Sequence, residues 1–478
     1  MTAKKDQNPD NIQKIQKIQK IHFIGIFGSG MLPLAQIALA SGYEVSGSDL
    51  SFSHHSDKLK KQGATLYQGH SKEHIKAPLD AVIYSTAVQK DNVELLEAKG
   101  QNIPLLHRSD LLQLFMKERL AVTIAGSHGK TTTTALTHHM LTVLGQEPSS
   151  YIGAKTLPSG QAGFHGKGDV FLAEADESDG SFLTYTPYIS TLTGIAPDHL
   201  DFYQTFDHVK EAFKKYLLNT KEDGMAILFW DDEHIRQLAE GYEGRFLSYG
   251  TKIGCDIRLL SSHVDGKSIS FKAMVERDLV AGTIPMPGAH NALNALAALG
   301  VARALDLDVQ KACKSFASFC GVDRRLNLLY ESSSKRTLLY DDYAHNPEKI
   351  TTSLKALRES WKEHKIHVIF QPHRHSRMET RYNEMVSSFS HSDIVYNLPV
   401  YSAGEVPKKA ITDEEIAASI RKMSHVAAVP CGSFSSVEKT LRENWGAKNL
   451  VVTLGAGDVN KVAYDLKTAF RAKESQEK

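Results

Sequence analysis

The segment that most restricts what this chain can fold into is LAVTIAGSHGKTTTT at 120–134, where an apolar run, a glycine turn and a helical stretch follow in direct succession. A strand that turns through glycines into a helix brings backbone N–H groups and a helix N-terminus together around phosphate oxygens. In such a turn Lys130 reaches terminal phosphates and Thr131 offers its hydroxyl to Mg2+. The full phosphate-loop spacing needs a glycine at 124, where Ile124 stands, so Gly126, Ser127, His128 and Gly129 make a shorter turn ahead of Lys130, Thr131 and Thr132. An ordinary glycine turn is the bland alternative; Gly-Lys-Thr-Thr between strand and helix favours phosphate binding.

A motif of this kind belongs to an α/β domain, and the 478 residues allow about three domains. From residue 21 short apolar runs alternate with helical patterns, as in mainly parallel sheets. IHFIG leads through Gly25, Gly28 and Gly30 into the helical MLPLAQIALA, followed by the strand YEVSGSD and strand-like ATLYQ and DAVIYST. The glycine order is GxxGxG instead of the dinucleotide fingerprint GxGxxG, which points to a nucleotide moiety without specifying NAD; Asp49 is placed to hold a ribose hydroxyl. The expected architecture is α/β in three domains: a Rossmann-like unit at 1–119 with a short N-terminal extension, a central P-loop unit at 120–322 and a Rossmann-like unit at 323–478. Cys255 to Met286 reads as a β-rich insertion and GVDRR at 321–325 as a hinge. The lysine-bearing start, with its repeated IQK, reads as a frayed lead-in without a secretory signal.

Charge narrows the function classes. Lys and Arg number 56 against 55 Asp and Glu, without the basic excess of a nucleic-acid binder, and no run is long and apolar enough to span a membrane. Four scattered cysteines, Cys255, Cys313, Cys320 and Cys431, fit reduced thiols and a cytoplasmic setting.

Further motifs fall at strand ends, where parallel sheets place their ligands. AEADESDGSFL carries Glu174, Asp176, Glu177 and Asp179; alone it is a solvated acidic loop, but beside a phosphate loop its first carboxylate suits Mg2+, which takes one or two protein carboxylates plus substrate oxygens. APDHLDFY adds His199. Asn291 and Asn294 share one helical face, either as a buried polar pair near a helix cap or as a pocket for a purine edge. DDYAHNP and QPHRHSR follow apolar runs in the third unit, and Arg374 and Arg377 suit a carboxylate or phosphate. No HExxH or paired Cys/His spacing occurs, which excludes the usual catalytic zinc motifs.

Together GIFGSGM, SGSD, AGSHGKTTTT, EADESDGSFL, PDHLDFY, HNALN, DRR, DDYAHNP, QPHRHSR, YSAGE and LGAGD resemble the Mur ligase family, and the likeness runs from Ile21 to the last helix. The resemblance implies an ATP-dependent amide-forming ligase of peptidoglycan synthesis that joins L-alanine to the lactyl carboxylate of UDP-N-acetylmuramate, through an acyl phosphate and with Mg2+. It assigns Gly25, Gly28, Gly30, Asp49 and Ser85 to the UDP-sugar, and Gly126, Ser127, His128, Gly129, Lys130, Thr131 and Thr132 to ATP. Thr131, Glu174 and His199 fall on metal positions. Asn291, Asn294, Arg324 and Asp342 belong to the nucleotide side; Tyr343, His345, Arg374 and Arg377 line the amino-acid end. Lys130, Glu174, His199, Arg325 and His345 are the expected catalytic set. Some sister ligases carry a carbamate-modified lysine fourteen residues after the histidine, where this chain has Phe213 followed by Lys214 and Lys215. Asn346 stands where the alanine-adding members have a second histidine, and Ala196 where they have glutamate.

The expected partners are small molecules, in a monomer or homodimer, with no nucleic acid and no membrane insertion. Rival readings are a ligase that recycles a whole tripeptide onto the same UDP-sugar, a nicotinamide-dependent UDP-sugar dehydrogenase, and a mechanical P-loop ATPase.

Overall fold

A computed structural model describes residues 18–52, 56–76, 78–406 and 410–476; the IQK-rich start lies outside them apart from Ile18 to Lys20. Three sheets divide the chain. The first has five parallel strands in the order Thr65–Gln68, Glu44–Asp49, Lys20–Ile24, Ala81–Tyr84, Leu105–His107. The order reverses between Lys20–Ile24 and Ala81–Tyr84, so a crevice opens where Gly25 and Ser85 follow these strands.

The central sheet has ten strands, in the order Asp278–Ile284, Ser268–Val275, Ile257–Asp265, Phe246–Gly250, Met225–Phe229, Ile189–Leu192, Leu120–Ala125, Val170–Glu174, Ser149–Thr156 and Gln161–Phe164. The stretch read as a β-rich insertion, Cys255 to Met286, is β-rich as expected, but its three strands extend this sheet instead of standing apart from it. Ile257–Asp265 pairs in parallel with Phe246–Gly250 and then turns back twice in antiparallel fashion. Its alternating burial explains the difference: Ile269, Phe271, Ala273 and Val275 point inward against the same core as the helix His290–Ala304. That helix is nearly all buried, as its alanine-rich sequence allows.

The last sheet, of six strands, runs Asn327–Glu331, Thr337–Asp342, Asn449–Leu454, Lys365–Phe370, Ile394–Asn397 and Ala427–Pro430, with only the first strand antiparallel. Among the described residues, no helix is long and apolar enough to cross a membrane.

Phe213 lies in the core, its ring 5.4 Å from that of Phe182, whereas Lys214 and Lys215 on the same helix are exposed. Periodicity accounts for the split: Val209, Ala212, Phe213, Tyr216 and Leu217 form the buried stripe of this amphipathic helix, and Lys214 and Lys215 fall outside it.

Candidate active site

The strand Leu120–Ala125 delivers the chain into a turn that only glycine fits at two places. Gly126 has φ +136° and Gly129 φ +82°, and a Cβ on Gly129 would sit 2.8 Å from Asn294 Oδ1. The helix Lys130–Val143 starts directly behind, its first N–H groups facing the turn.

Lys130 Nζ donates to Gly126 O at 2.5 Å and lies 2.7 Å from Glu177 Oε2. Burial works against its charge, but Glu177, Asp176 and Glu174 more than offset that and hold the ammonium above the ordinary lysine range. Thr131 Oγ1 donates to Glu174 Oε1 at 2.9 Å, while Glu174 Oε2 accepts from Gly153 N at 2.7 Å. A hydroxyl and a carboxylate side by side next to a phosphate loop fit the donor set Mg2+ takes from protein. His199 approaches the same cluster through Glu177, the partner of Lys130: its Nε2 is 3.7 Å from Glu177 Oε1 and 3.9 Å from Asp198 Oδ2. Among the described residues, no group of three or more His, Cys, Asp or Glu has a metal-holding arrangement.

A cavity of about 250 Å3, sized for a small molecule, is built from both sides of the 321–325 segment. His128, Gly129 and Thr132 come from the phosphate turn; His290, Asn291 and Asn294 from the helix His290–Ala304; Arg325, Asp342, Glu348 and Lys349 from the other side. The two asparagines form a buried polar pair and also line the cavity. Asn294 Nδ2 donates to Asn291 Oδ1 at 3.0 Å, and Asn291 Nδ2 donates to Pro287 O at 2.7 Å.

Arg324 and Arg325 diverge. Arg324 adopts φ +57° and donates to Gly455 O at 2.5 Å, away from the cavity, with its Nε 3.5 Å from Asp341. Arg325 reaches across to Thr131 Oγ1 at 3.2 Å. Both guanidinium groups lie over the Tyr343 ring, at 4.9 and 5.4 Å. Asp342 is buried and accepts from Leu326 N and Ala344 N, both at 2.7 Å. Asn346 bridges the third sheet to the second, donating to Asp198 Oδ2 at 3.2 Å.

His345 Nδ1 donates to Tyr343 O at 2.7 Å, and burial together with Lys349 and Arg377 pushes its pKa well below the usual value. The ring is therefore neutral near pH 7, with its lone pair on Nε2. Its centroid is 6.0 Å from that of His373. Arg377 donates to His373 O at 3.1 Å, and Arg374, half exposed with φ +69°, stands 3.9 Å from Glu405.

In the first sheet Ser48 O accepts from Gly25 N and Ile26 N, and Asp49 Oδ2 accepts from Phe27 N at 2.9 Å. Asp49 thus braces the glycine turn. Gly28 and Gly30 lie on the approach to the helix Met31–Ala40, and Tyr151 of the central sheet donates to Gly30 O at 3.2 Å.

Sequence reasoning missed three contributors. Glu177 was grouped with the acidic loop but pairs with Lys130. Arg108, immediately after the strand Leu105–His107, is nearly buried and reaches from the first sheet to Asp179 at 3.0 Å and Asp176 at 3.4 Å in the second. A basic residue at a strand end was the available signal. Lys349 was the third.

Known proteins carry the same pattern. Three family descriptions match in succession: "Mur ligase family, catalytic domain" over residues 20–120, "Mur ligase middle domain" over 124–302, and "Mur ligase, glutamate ligase domain" over 324–457. The UDP-N-acetylmuramate–L-alanine ligase of Carboxydothermus hydrogenoformans is 37% identical, over 93% of this chain and 95% of its own. The crystal structure of UDP-N-acetylmuramate-alanine ligase from Thermotoga maritima superposes with a TM-score of 0.81 at 26% identity, covering 95% of this chain and 99% of that one. A murein peptide ligase from Psychrobacter arcticus shares the fold, with a TM-score of 0.70, 22% identity, and coverage of 94% and 98%.

Proposed function

The chain belongs to the Mur ligase family, and from that premise we propose that it joins L-alanine to the lactyl carboxylate of UDP-N-acetylmuramate with conversion of ATP to ADP and phosphate. The observation that carries this reading is the cavity shared by the phosphate turn, the asparagine pair and Arg325, which allows one nucleotide to be held by residues on both sides of the 321–325 segment.

A carboxylate does not acylate an amine in water. The reaction therefore proceeds in two displacements. A lactyl carboxylate oxygen attacks the γ-phosphorus, the bond to the β,γ-bridging oxygen breaks, and ADP departs from an acyl phosphate. The unprotonated amine of L-alanine then attacks the acyl carbon, and phosphate leaves from the tetrahedral intermediate with the electron pair of the C–O bond. The protein's task is to place the reactants and neutralise charge. Lys130 and Arg325 face the oxygens of the transferred phosphoryl group. Thr131 and Glu174, with His199 as a further contact, would hold Mg2+, which supplies Lewis-acid charge neutralisation when bound.

Neutral His345 has the lone pair needed to take a proton from the incoming ammonium, and Arg374 and Arg377 suit its carboxylate. Gly25, Gly28, Gly30, Asp49 and Ser85 hold the UDP-sugar at the crevice of the first sheet. We assign domains to 1–119, 120–322 and 323–478, and the reaction to the cytoplasm as a monomer or homodimer. The free state of all four cysteines fits a reducing compartment.

Phosphate release should require ATP, UDP-N-acetylmuramate and L-alanine together, with omission of either acceptor lowering it to background. Release driven better by a murein tripeptide than by L-alanine would transfer the chain to the recycling reaction. ATP hydrolysis without either acceptor would make it a plain ATPase.

A second expectation concerns His345. His345→Gln should lower kcat about a hundredfold, the usual worth of a positioned base, with KM for ATP changed less than threefold. An unchanged kcat would remove His345 from the proton path.

A further inference from the structure

Two groups in the nucleotide cavity lack partners. His128, in the phosphate turn, has both ring nitrogens buried with no hydrogen bond among the described residues. Across from the turn, Lys349 lies in the first turn of the helix Pro347–Ser360 and lines the same cavity. Its backbone N–H is taken by Asn346 Oδ1 at 3.0 Å. Its ammonium makes no hydrogen bond and no ion pair within 4.0 Å among the described residues. The neighbouring cations are already engaged, Lys130 by Glu177 and Arg325 by Thr131 and Tyr343.

The charges around Lys349 are mixed. Burial, Lys130 and Arg325 oppose its positive charge, Asp198 and Glu177 support it, and the balance pushes its pKa down to about 8. It also lies within electrostatic reach of His128 and His345. A half-buried ammonium among other cations with no bonded anion is costly unless a further anion arrives. A nucleotide polyphosphate would supply that anion.

We propose that Lys349 binds the polyphosphate of the nucleotide from the C-terminal side, as a third cation opposite Lys130. The inference rests on the ATP reading above and adds a residue and an energetic role to it. Asn346, whose side chain accepts from Lys349 N and donates to Asp198, fixes the start of the helix and the height from which Lys349 reaches. His128, neutral because burial pushes its pKa down to about 4, adds no repulsion to the approaching ammonium and can donate to a phosphate oxygen.

The test is calorimetric titration of the full-length chain with the non-hydrolysable analogue AMP-PNP, with ADP and with adenosine, for wild type, Lys349→Gln and Lys349→Arg. Lys349→Gln is expected to weaken AMP-PNP and ADP by about tenfold or more, the usual worth of a charge-assisted bond to phosphate. Adenosine should stay within twofold of wild type, and Lys349→Arg should recover most of the loss. AMP-PNP affinity within twofold of wild type in Lys349→Gln would overturn the proposal. So would an equal loss for adenosine, which would assign Lys349 to the shape of the cavity. If the wild type itself bound neither AMP-PNP nor ADP, the ATP reading would fall and this inference with it, an outcome read from the wild-type arm alone.

Discussion

Lys130→Ala should cut turnover by about a thousandfold or more while leaving the affinity for UDP-N-acetylmuramate within about threefold of wild type. Developing charge on a transferred phosphoryl group is stabilised by fixed cations, and each such contact carries a large share of the barrier. Lys130 starts the helix behind the phosphate turn, so its loss leaves the turn in place but removes the ammonium. Glu177, with a side chain only 2% exposed, would then lack its partner. An abandoned buried carboxylate destabilises by about 3–5 kcal/mol or takes up a proton. Lys130→Arg separates the two effects, since it restores charge opposite Glu177 without the lysine's point geometry. It should regain stability and recover little turnover. ADP formation at the wild-type rate by Lys130→Ala, with UDP-N-acetylmuramate and L-alanine present, would remove Lys130 from the reaction.

What could be read from sequence was local in the chain. The turn at 126–129 is contiguous with its strand and helix, so its chemistry follows from residue order alone. The same holds for the strand-end motifs at 174, 199, 342 and 371, because a parallel sheet places every such end on one side. The hairpin between Ser149 and Phe164 escaped notice because its glycines weaken a strand signal. One of them, Gly153, is there because a Cβ would collide with the Glu174 carboxylate, a long-range cause invisible in the segment itself.

The rest depended on how the sheets meet. Nothing in DRR distinguishes Arg324 from Arg325; the left-handed backbone at Arg324 turns one side chain to the Gly455 loop and leaves the other facing Thr131. Arg108 with Asp179, and Asn346 with Asp198, join residues 71 and 148 positions apart. Such pairs have no sequence periodicity, and they carry the geometry that makes three α/β units into one site.

The first sheet conceals a polar cluster whose removal should have a large, pH-dependent effect on stability. Glu94, fully buried at the start of the helix Val93–Gly100, accepts from Ser48 Oγ at 2.5 Å and from His74 Nδ1 at 2.7 Å, with His70 Nδ1 at 3.3 Å and His22 Nε2 at 3.6 Å. Burial alone would raise its pKa. The nearby His22 ring and the hydrogen bonds from Ser48 and His74 reverse that and bring it down to about 2. A carboxyl lowered from 4.5 in the unfolded chain to about 2 contributes about 3 kcal/mol. That contribution is complete above the unfolded value and is lost as pH falls through the folded one. Glu94→Gln should therefore lower the opening free energy of the strands Lys20–Ile24 and Glu44–Asp49, measured by hydrogen exchange, by about 3 kcal/mol at pH 7. The gap from wild type should shrink by roughly half between pH 5 and pH 3. Because Ser48 O also holds Gly25 N and Ile26 N, the variant should weaken UDP-N-acetylmuramate before it affects ATP. A gap that stays constant from pH 7 to pH 3 would mean that the Glu94 charge is not what binds this cluster together.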